Sequence, residues 1–316
     1  MNDPGTSVII PVRNGAPWIR DLLTSLLHQR GAGAHEIIVV DNGSDDGTPE
    51  LVSGFPVRLL VAAQCRGPSA ARNVGMQAAQ GEWLAFLDAD TLPSRHWLAA
   101  LVRPLANPAV TCTGGKTISY LPASPAERFM ARLPMHAFEF KTGRRLFPFF
   151  ASRNFACRRD QALAIDGWAE EMPTAEDVDF CTRLRRRFPG VAQFAEDALL
   201  FHRDRADDAA LRRQAWSYGQ GLAHIYRRYP EVARWSPQNS VELTLLQAWR
   251  TVRPALLQAA HSVGRAGAEE VTYARYHRLW SDAYWQGFRS MLRTGEQLPP
   301  PWEATPARRA AQGAGT

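Results

Sequence analysis

The sequence predicts an α/β fold, a mainly parallel sheet flanked by helices with a helical C-terminal extension. Short β-type runs alternate with amphipathic helical runs over about the first 110 residues, the pattern of a parallel sheet covered on its faces. The run EIIVVD at 36–41 is apolar without alternation, as in strands buried on both sides. From residue 207 onward helical periodicity replaces strand-like runs.

Residues 8–12 read as the first strand. Ile19, Leu22, Leu23, Leu26 and Leu27 then fall at i, i+3, i+4, i+7 and i+8, the spacing of one buried helix face. After the second strand at 36–41, the polar turn NGSDDGT precedes a short helix at 49–53 and a third strand at 57–61. Residues 68–80 read as helix, 83–87 as a fourth strand, and 94–105 as a helix with Ser94 as its N-cap. Past Thr111 the pattern loosens into strands around Thr117 and at 149–157, a helix at 176–188 and a strand ending near Leu200. Long helices are expected at 208–228, 240–263 and 269–293, and the Pro- and Ala-rich ending is expected to be disordered. The expected division is 1–230 for the α/β domain, 231–298 for the helical extension and 299–316 for the tail.

The 316 residues are 45% apolar and 22% charged, a folded composition with enough chain for a large core. The net charge of +6 is almost all arginine, since Lys116 and Lys141 are the only lysines. Arginine suits two-pronged contacts with phosphate or carboxylate, so an anionic partner is expected. Cys65, Cys112, Cys157 and Cys181 show neither CxxC nor metal-finger spacing. No disulfide framework or zinc site is therefore expected, and the expected setting is reducing and cytoplasmic. The start Met1-Asn2-Asp3 carries no signal-peptide pattern. The best apolar stretch, 252–263, is interrupted by Arg253, Pro254, Gln258 and His261, short of the ~20 residues a membrane span needs.

In an open parallel sheet, ligands bind beyond the carboxyl ends of the strands. Arg13-Asn14, the run from Asp41 to Asp46, and Asp88-Ala89-Asp90 fall at such ends. Acidic turns taken singly cap helices and reverse the chain, which is the expected role of Asp45 and Asp46. Two carboxylates directly after an apolar strand are rarer. On extended backbone Asp88 and Asp90 point to one side, where they fit a hard divalent cation that takes its other ligands from substrate phosphates. GxxxxGK[ST] is absent and GxGxxG does not follow the first strand, which argues against kinase and dehydrogenase readings.

SVIIPVRN at 7–14, EIIVVDNGSDDGT at 36–48, GPSAARNVGMQAAQGEWLAFLDAD at 67–90 and AEDVDFCTRL at 175–184 resemble, in order and spacing, the family-2 glycosyltransferases of the GT-A fold. The resemblance covers about residues 6–220. It implies a metal-dependent, inverting enzyme that moves a sugar from a nucleotide-diphosphate donor, with UDP favoured by family frequency, to an acceptor hydroxyl, using Mg or Mn. It further implies that Pro11 and Arg13 line the nucleotide pocket, that Asp41 binds the base, and that Arg72 and Asn73 lie beside nucleotide and sugar. Asp88 and Asp90 match the DxD motif, Asp88 facing ribose or sugar and Asp90 holding the metal. Asp177 matches the catalytic base, with Glu176 beside it. His202 resembles a histidine that meets metal or diphosphate in some relatives, its other reading being a strand-end histidine satisfied by backbone. Trp168 resembles an acceptor-loop aromatic, with core packing as the alternative. Gly114-Gly115 either admits the acceptor, placing Gly115 on that side, or forms a bulge.

The resemblance is imperfect at two places. The second motif reads DNGS where the family more often has DDGS, and RRQAW at 212–216 only loosely resembles the QxxRW of processive synthases. A polymerising synthase is accordingly not expected.

In such a transfer negative charge grows on the departing diphosphate, where a Lewis-acidic metal neutralises it. Arg72, or one of Arg203, Arg205, Arg212 and Arg213, is expected to assist. Asp177, at a helix start, would take the proton of the attacking hydroxyl. Two other classes stand beside this one. An inactive nucleotide-sugar-binding module is disfavoured by Asp88, Asp90 and Asp177 occurring together, and a nucleotidyltransferase by PVRNGAP in place of a glycine-rich GxGxR-type loop. No nucleic-acid reading motif accompanies the arginines. The acceptor, whether glycan, lipid-linked or small molecule, is left open. RLRRR at 183–187 reads as a solvated helix face or a contact for an anionic acceptor or membrane. The aromatic-rich C-terminal region (Trp235, Trp249, Trp280, Trp285, Trp302, Tyr273, Tyr276, Tyr284) reads as helix packing, with peripheral contact at the inner face of the membrane as its second reading.

Overall fold

The computed structural model describes residues 5–64, 67–133, 149–230, 237–296 and 298–300. The elements are β1 (Thr6–Val12), α1 (Ala16–Leu27), β2 (His35–Asp41), α2 (Thr48–Ser53), β3 (Arg58–Val61), α3 (Pro68–Ala78), β4 (Trp83–Phe86), β5 (Thr91–Pro93), α4 (Trp97–Val102), β6 (Val110–Ser119), α5 (Pro125–Arg132), β7 (Phe155–Arg158), α6 (Arg159–Leu163), α7 (Glu176–Arg187), β8 (Val191–His202), α8 (Asp208–Arg228), α9 (Pro237–Ser262) and α10 (Ala268–Thr294). They divide into two compact units, one of Met1–Pro122 and Met130–Asp204, the other of Ala123–Phe129 and Arg205–Thr316.

The first unit is built on an eight-stranded sheet in the order β3-β2-β1-β4-β7-β6-β8-β5. β3, β2, β1 and β4 run parallel. β7 is antiparallel to both β4 and β6, β8 is parallel to β6, and β5 is antiparallel to β8. Every residue of β1 is buried, which accounts for its unbroken apolar run. Val8, Ile10 and Val12 pack with Ile19, Leu22, Leu23 and Leu26 of α1. The intervening Ile9 faces Met76 and Ala71 of α3 on the other side, as the two-residue pleat requires. Full burial of each such aliphatic side chain stabilises the fold by roughly 1.5–3 kcal/mol.

Three local expectations are corrected. The helix expected from Ser94 begins at Trp97; the Ser94 carbonyl accepts the Trp97 N–H at 3.0 Å and Gln29 Oε1 the Leu98 N–H at 2.9 Å. Just upstream, Thr91–Pro93 form β5, held by pairing with β8. The strand expected over 149–157 starts only at Phe155, because Ser152–Asn154 form a 3-10 turn.

The second unit contains the helices α8, α9 and α10. α8 and α10 meet backbone to backbone: a Cβ on Gly219 would overlap the Tyr284 carbonyl, and one on Gly287 the Trp216 carbonyl. Trp280 packs near Phe129 and Tyr218, and Trp285 against Phe288, so these aromatics pack helices together. Trp235 and Trp302, with the tail beyond Pro300, lie outside the described residues. Among the described residues no helix is long and apolar enough to cross a membrane.

Candidate active site

The polar turns after β1 and β2 are latched to each other. The Asn14 N–H donates to Ser44 Oγ at 2.8 Å, Gly15 N–H to Thr48 Oγ1 at 2.9 Å and Ala16 N–H to Asp46 Oδ2 at 3.0 Å. Asp45 N–H returns a bond to Asn14 Oδ1 at 3.0 Å. Asp46 therefore satisfies the start of α1 across the turn, a structural role. At the same strand ends Val12 pairs with Asp41 and Pro11 with Val40, and Pro11 is buried while Arg13 is exposed.

Asp41 is buried, and its Oδ2 accepts the N–H groups of Gly43 and Ser44 at 3.1 and 3.2 Å. Its Oδ1 is buried with no partner among the described residues, as is Asn42 Oδ1. Buried acceptors of this kind cost free energy until a donor reaches them. The Asn42 amide donates to the Gly67 carbonyl at 3.3 Å, fastening the residue before α3.

Arg72 on α3 is only 2% exposed. Its Nη2 donates to Asp88 Oδ1 at 2.7 Å and its Nη1 to Glu176 Oε1 at 3.0 Å, so one guanidinium joins α3, the end of β4 and the start of α7. Burial alone would lower its pKa, but the two carboxylates raise it. Burial pushes Asp88 up, and the Arg72 charge and hydrogen bond outweigh it, leaving Asp88 below the usual carboxylate range. Glu176 stays above its usual range because burial exceeds what Arg72 returns.

Asp177 follows Glu176 in the first turn of α7. Ala175 holds a left-handed backbone, with φ of 62°, which costs a non-glycine residue about 1 kcal/mol or more. Burial first, then repulsion from Glu176, pushes the Asp177 carboxyl up to about 7. The Val178 N–H donates to its Oδ1 at 2.9 Å. Arg153, which was not singled out from the sequence, lowers both Asp88 and Asp177 through its charge. It sits on the 3-10 turn before β7, where no periodic pattern marks it.

The antiparallel pairing of β5 with β8 sets Thr91 opposite His202, and His202 Nε2 lies 3.7 Å from Asp90 Oδ1. His202 Nδ1 is held by Asp204 Oδ1 at 2.9 Å, and Asp204 also accepts the Ser119 hydroxyl. A carboxylate behind one imidazole nitrogen orients the other as a metal ligand. Asp204, also missed, was findable: His202 and Asp204 show on extended backbone the same alternate spacing as Asp88 and Asp90. Among the described residues no group of three or more His, Cys, Asp or Glu could hold a metal ion. Asp90 and His202 could supply two ligands to a cation that takes the others from phosphate and water.

Three residues expected at the site also hold the chain together, and the Arg72 guanidinium lies 5.0 Å from the Trp168 ring centre. Asn73 accepts the Trp168 N–H at 2.8 Å and donates to the Trp168 carbonyl at 2.9 Å and to Glu170 Oε1 at 2.8 Å. These bonds clip the loop before α7. Trp168 is buried, stacked on Phe180 at 4.2 Å and edge-on to Phe86 at 5.1 Å, which is the core-packing alternative. At Gly115 a Cβ would come within 2.5 Å of Asn154 Oδ1 and overlap the Ala198 carbonyl, beside the register shift between β6 and β8. The room at Gly115 serves the chain itself. Asn73→Ala is expected to lose these three bonds and destabilise the fold by about 1–3 kcal/mol, measured by urea unfolding.

The model described as glycosyl transferase family 2 matches residues 7–163. A pre-mycofactocin glycosyltransferase of Mycobacterium tuberculosis is 31% identical over 242 residues, covering 71% of this chain and 48% of that protein. The glycosyltransferase AglE of Haloferax volcanii is 29% identical over 231 residues, covering 71% of this chain and 74% of that protein. The chain thus spans about half the length of the mycobacterial relative. A mannosyltransferase of Pyrobaculum calidifontis, solved with GDP-Man and Mn2+, superposes with a TM-score of 0.61 at 22% identity, covering 93% of this chain and 88% of that one. Residues 1–349 of S. aureus TarS, solved with UDP-GlcNAc, superpose with a TM-score of 0.53 at 20% identity, covering 92% of each chain.

Proposed function

The chain belongs to glycosyl transferase family 2 and has the GT-A fold, and on that basis we propose that it moves a sugar from a nucleotide-diphosphate donor to an acceptor hydroxyl with inversion, Asp177 acting as base. The observation that carries the assignment is the Asp177 carboxyl, held at about 7 next to the ion-paired Arg72, Asp88 and Glu176. A base of that pKa is half ionised at neutral pH, close to the optimum for proton abstraction.

Asp41 Oδ1, a buried acceptor without a partner among the described residues, receives an N–H of the donor base, and UDP is the nucleotide that family resemblance favours. Arg72 holds Asp88 ionised and aimed toward ribose or donor sugar. Asp90 and His202 would hold Mg or Mn, whose chemistry when bound is Lewis-acid neutralisation of charge on the diphosphate. Arg153, whose charge reaches Asp88 and Asp177, adds fixed positive charge near the departing group. Asp177 takes the proton of the acceptor hydroxyl as it attacks the anomeric carbon from the face opposite the diphosphate. The sugar carries positive character as the old bond breaks, as in glycoside hydrolysis.

Incubation with a panel of nucleotide sugars, following release of nucleotide diphosphate with and without Mn2+, tests the reading; release from none of them defeats it. Asp90→Ala is expected to weaken UDP binding in the presence of Mn2+ by about 10–100-fold and to leave metal-free binding unchanged, measured by calorimetry. Equal affinity of wild type and variant with metal present removes Asp90 as the ligand.

A further inference from the structure

On α9 the large apolar residues Val241, Leu245, Leu246, Trp249, Val252 and Leu256 are exposed, with Leu245 at 66%, Trp249 at 54% and Leu256 at 56%. Val241, Leu245, Trp249, Val252 and Leu256 recur at steps of four, four, three and four residues, so these five form one stripe along the helix, with Leu246 beside it. Between Val241 and Leu256 the helix rises about 22 Å. A continuous apolar face of that length marks an interaction surface, since soluble surfaces rarely leave one bare.

Charge selects the occupant. From residue 243 to 268 there is no Asp or Glu. The charged residues of α9 between 244 and 263 are Arg250 and Arg253, both half-buried. Arg250 Nη1 donates to Ser281 Oγ at 2.8 Å. From α10 the exposed Arg278 and Arg289 reach the Thr251 carbonyl and Gln247 Oε1, each at 3.3 Å, so arginines also border α9 on its α10 side. The second unit carries sixteen arginines against ten acidic residues, which places the chain's whole formal excess of +6 in this unit. A second copy would bring a like-charged unit to the stripe; α9 itself has no carboxylate from 243 to 262 to pair across a helix seam, and Asp282 on α10 is already paired with Arg278 at 3.5 Å. An anionic lipid surface supplies both what the apolar stripe and what the arginines require.

We propose that the exposed face of α9, with Trp249 and Leu256 at its centre, docks this protein on an anionic phospholipid surface. The apolar side chains enter the headgroup–acyl boundary while the bordering arginines extend along apolar surface to the phosphates. This docking is independent of the transfer chemistry proposed above.

The test sediments the full chain with vesicles of phosphatidylcholine, alone or with about one third phosphatidylglycerol, at low and high salt, and measures its mass in solution by light scattering. The expected result is binding to the anionic vesicles, released by salt. Leu256→Glu and Trp249→Glu should each reduce binding about tenfold or more, with melting temperature and UDP affinity unchanged. Equal binding to neutral vesicles overturns the proposal, as does wild-type binding by both variants. A dimer that Leu256→Glu dissociates, with no vesicle binding, assigns the face to a second copy and also overturns it. A monomer that binds neither vesicle overturns it as well.

Discussion

Asp177→Asn is expected to bind the nucleotide-diphosphate donor like the wild type while losing about 10²–10⁴-fold in transfer rate. The amide keeps the shape of the first turn of α7 and can still accept from the Val178 N–H, but it cannot take a proton. The wild-type rate should rise about tenfold per pH unit up to about 7, the value to which burial and Glu176 push this carboxyl, and then level off. That limb should vanish in the variant. Glu176 is close enough to influence the titration, so the apparent value belongs to the pair.

The same shift makes a stability statement. A carboxyl with a raised folded-state pKa favours folding while protonated, and that contribution is lost as pH rises from about 4, its unfolded value, through about 7. Asp177→Asn should therefore melt higher than the wild type above pH 7 and gain progressively less as the pH falls toward 4. Near-full turnover, or a rate profile flat through pH 7 in the wild type, removes Asp177 as base. A variant slower but no more stable at high pH would show that the carboxyl is not destabilised by its surroundings.

Whether a feature could be read from the sequence depended on how local its cause is. The apolar run of β1 and the spacing of Ile19, Leu22, Leu23 and Leu26 report burial directly, and both elements form where that pattern places them. β5 shows no such pattern, because three residues carry no periodicity. It exists through pairing with β8, more than a hundred residues later. The meeting of Asp90 with His202 depends on that pairing, so it was implied by resemblance alone and by no local pattern of the chain. Arg72 and Asn73 show a different limit. Neighbours on a helix point about 100° apart, which sends Arg72 to Asp88 and Glu176 and Asn73 to the Trp168 loop. A motif match treats the two alike, whereas helix geometry separates them. Trp168 and Gly115 went to packing because bulky aromatic neighbours and the Asn154 side chain claim the space.

Arg72→Met should destabilise the fold by about 3–5 kcal/mol, a large part of the 5–15 kcal/mol typical of a folded protein. The methionine fills much of the same volume, so the loss is chiefly electrostatic. Asp88 and Glu176 would face each other's charge without the guanidinium that joins them at 2.7 and 3.0 Å. Glu176, with its side chain 11% exposed, has less water to fall back on than Asp88 at 32%. Removing its charge as well should restore part of the stability, so Arg72→Met/Glu176→Gln is expected to be more stable than Arg72→Met alone. The pH dependence follows the same logic. In the wild type Asp88, held low by Arg72, contributes stability above about pH 4, its unfolded value, and this is lost as the pH falls through its lower folded value. In Arg72→Met that acid-side loss should shrink, and the deficit against wild type should be largest near neutrality. Lysine should rescue little, because one ammonium cannot span two carboxylates as the forked guanidinium does. Urea unfolding of the three variants at pH 4 and pH 7 measures each point. A deficit below about 1 kcal/mol for Arg72→Met, the level of an exposed ion pair, would mean that Arg72 does not hold Asp88 and Glu176 together.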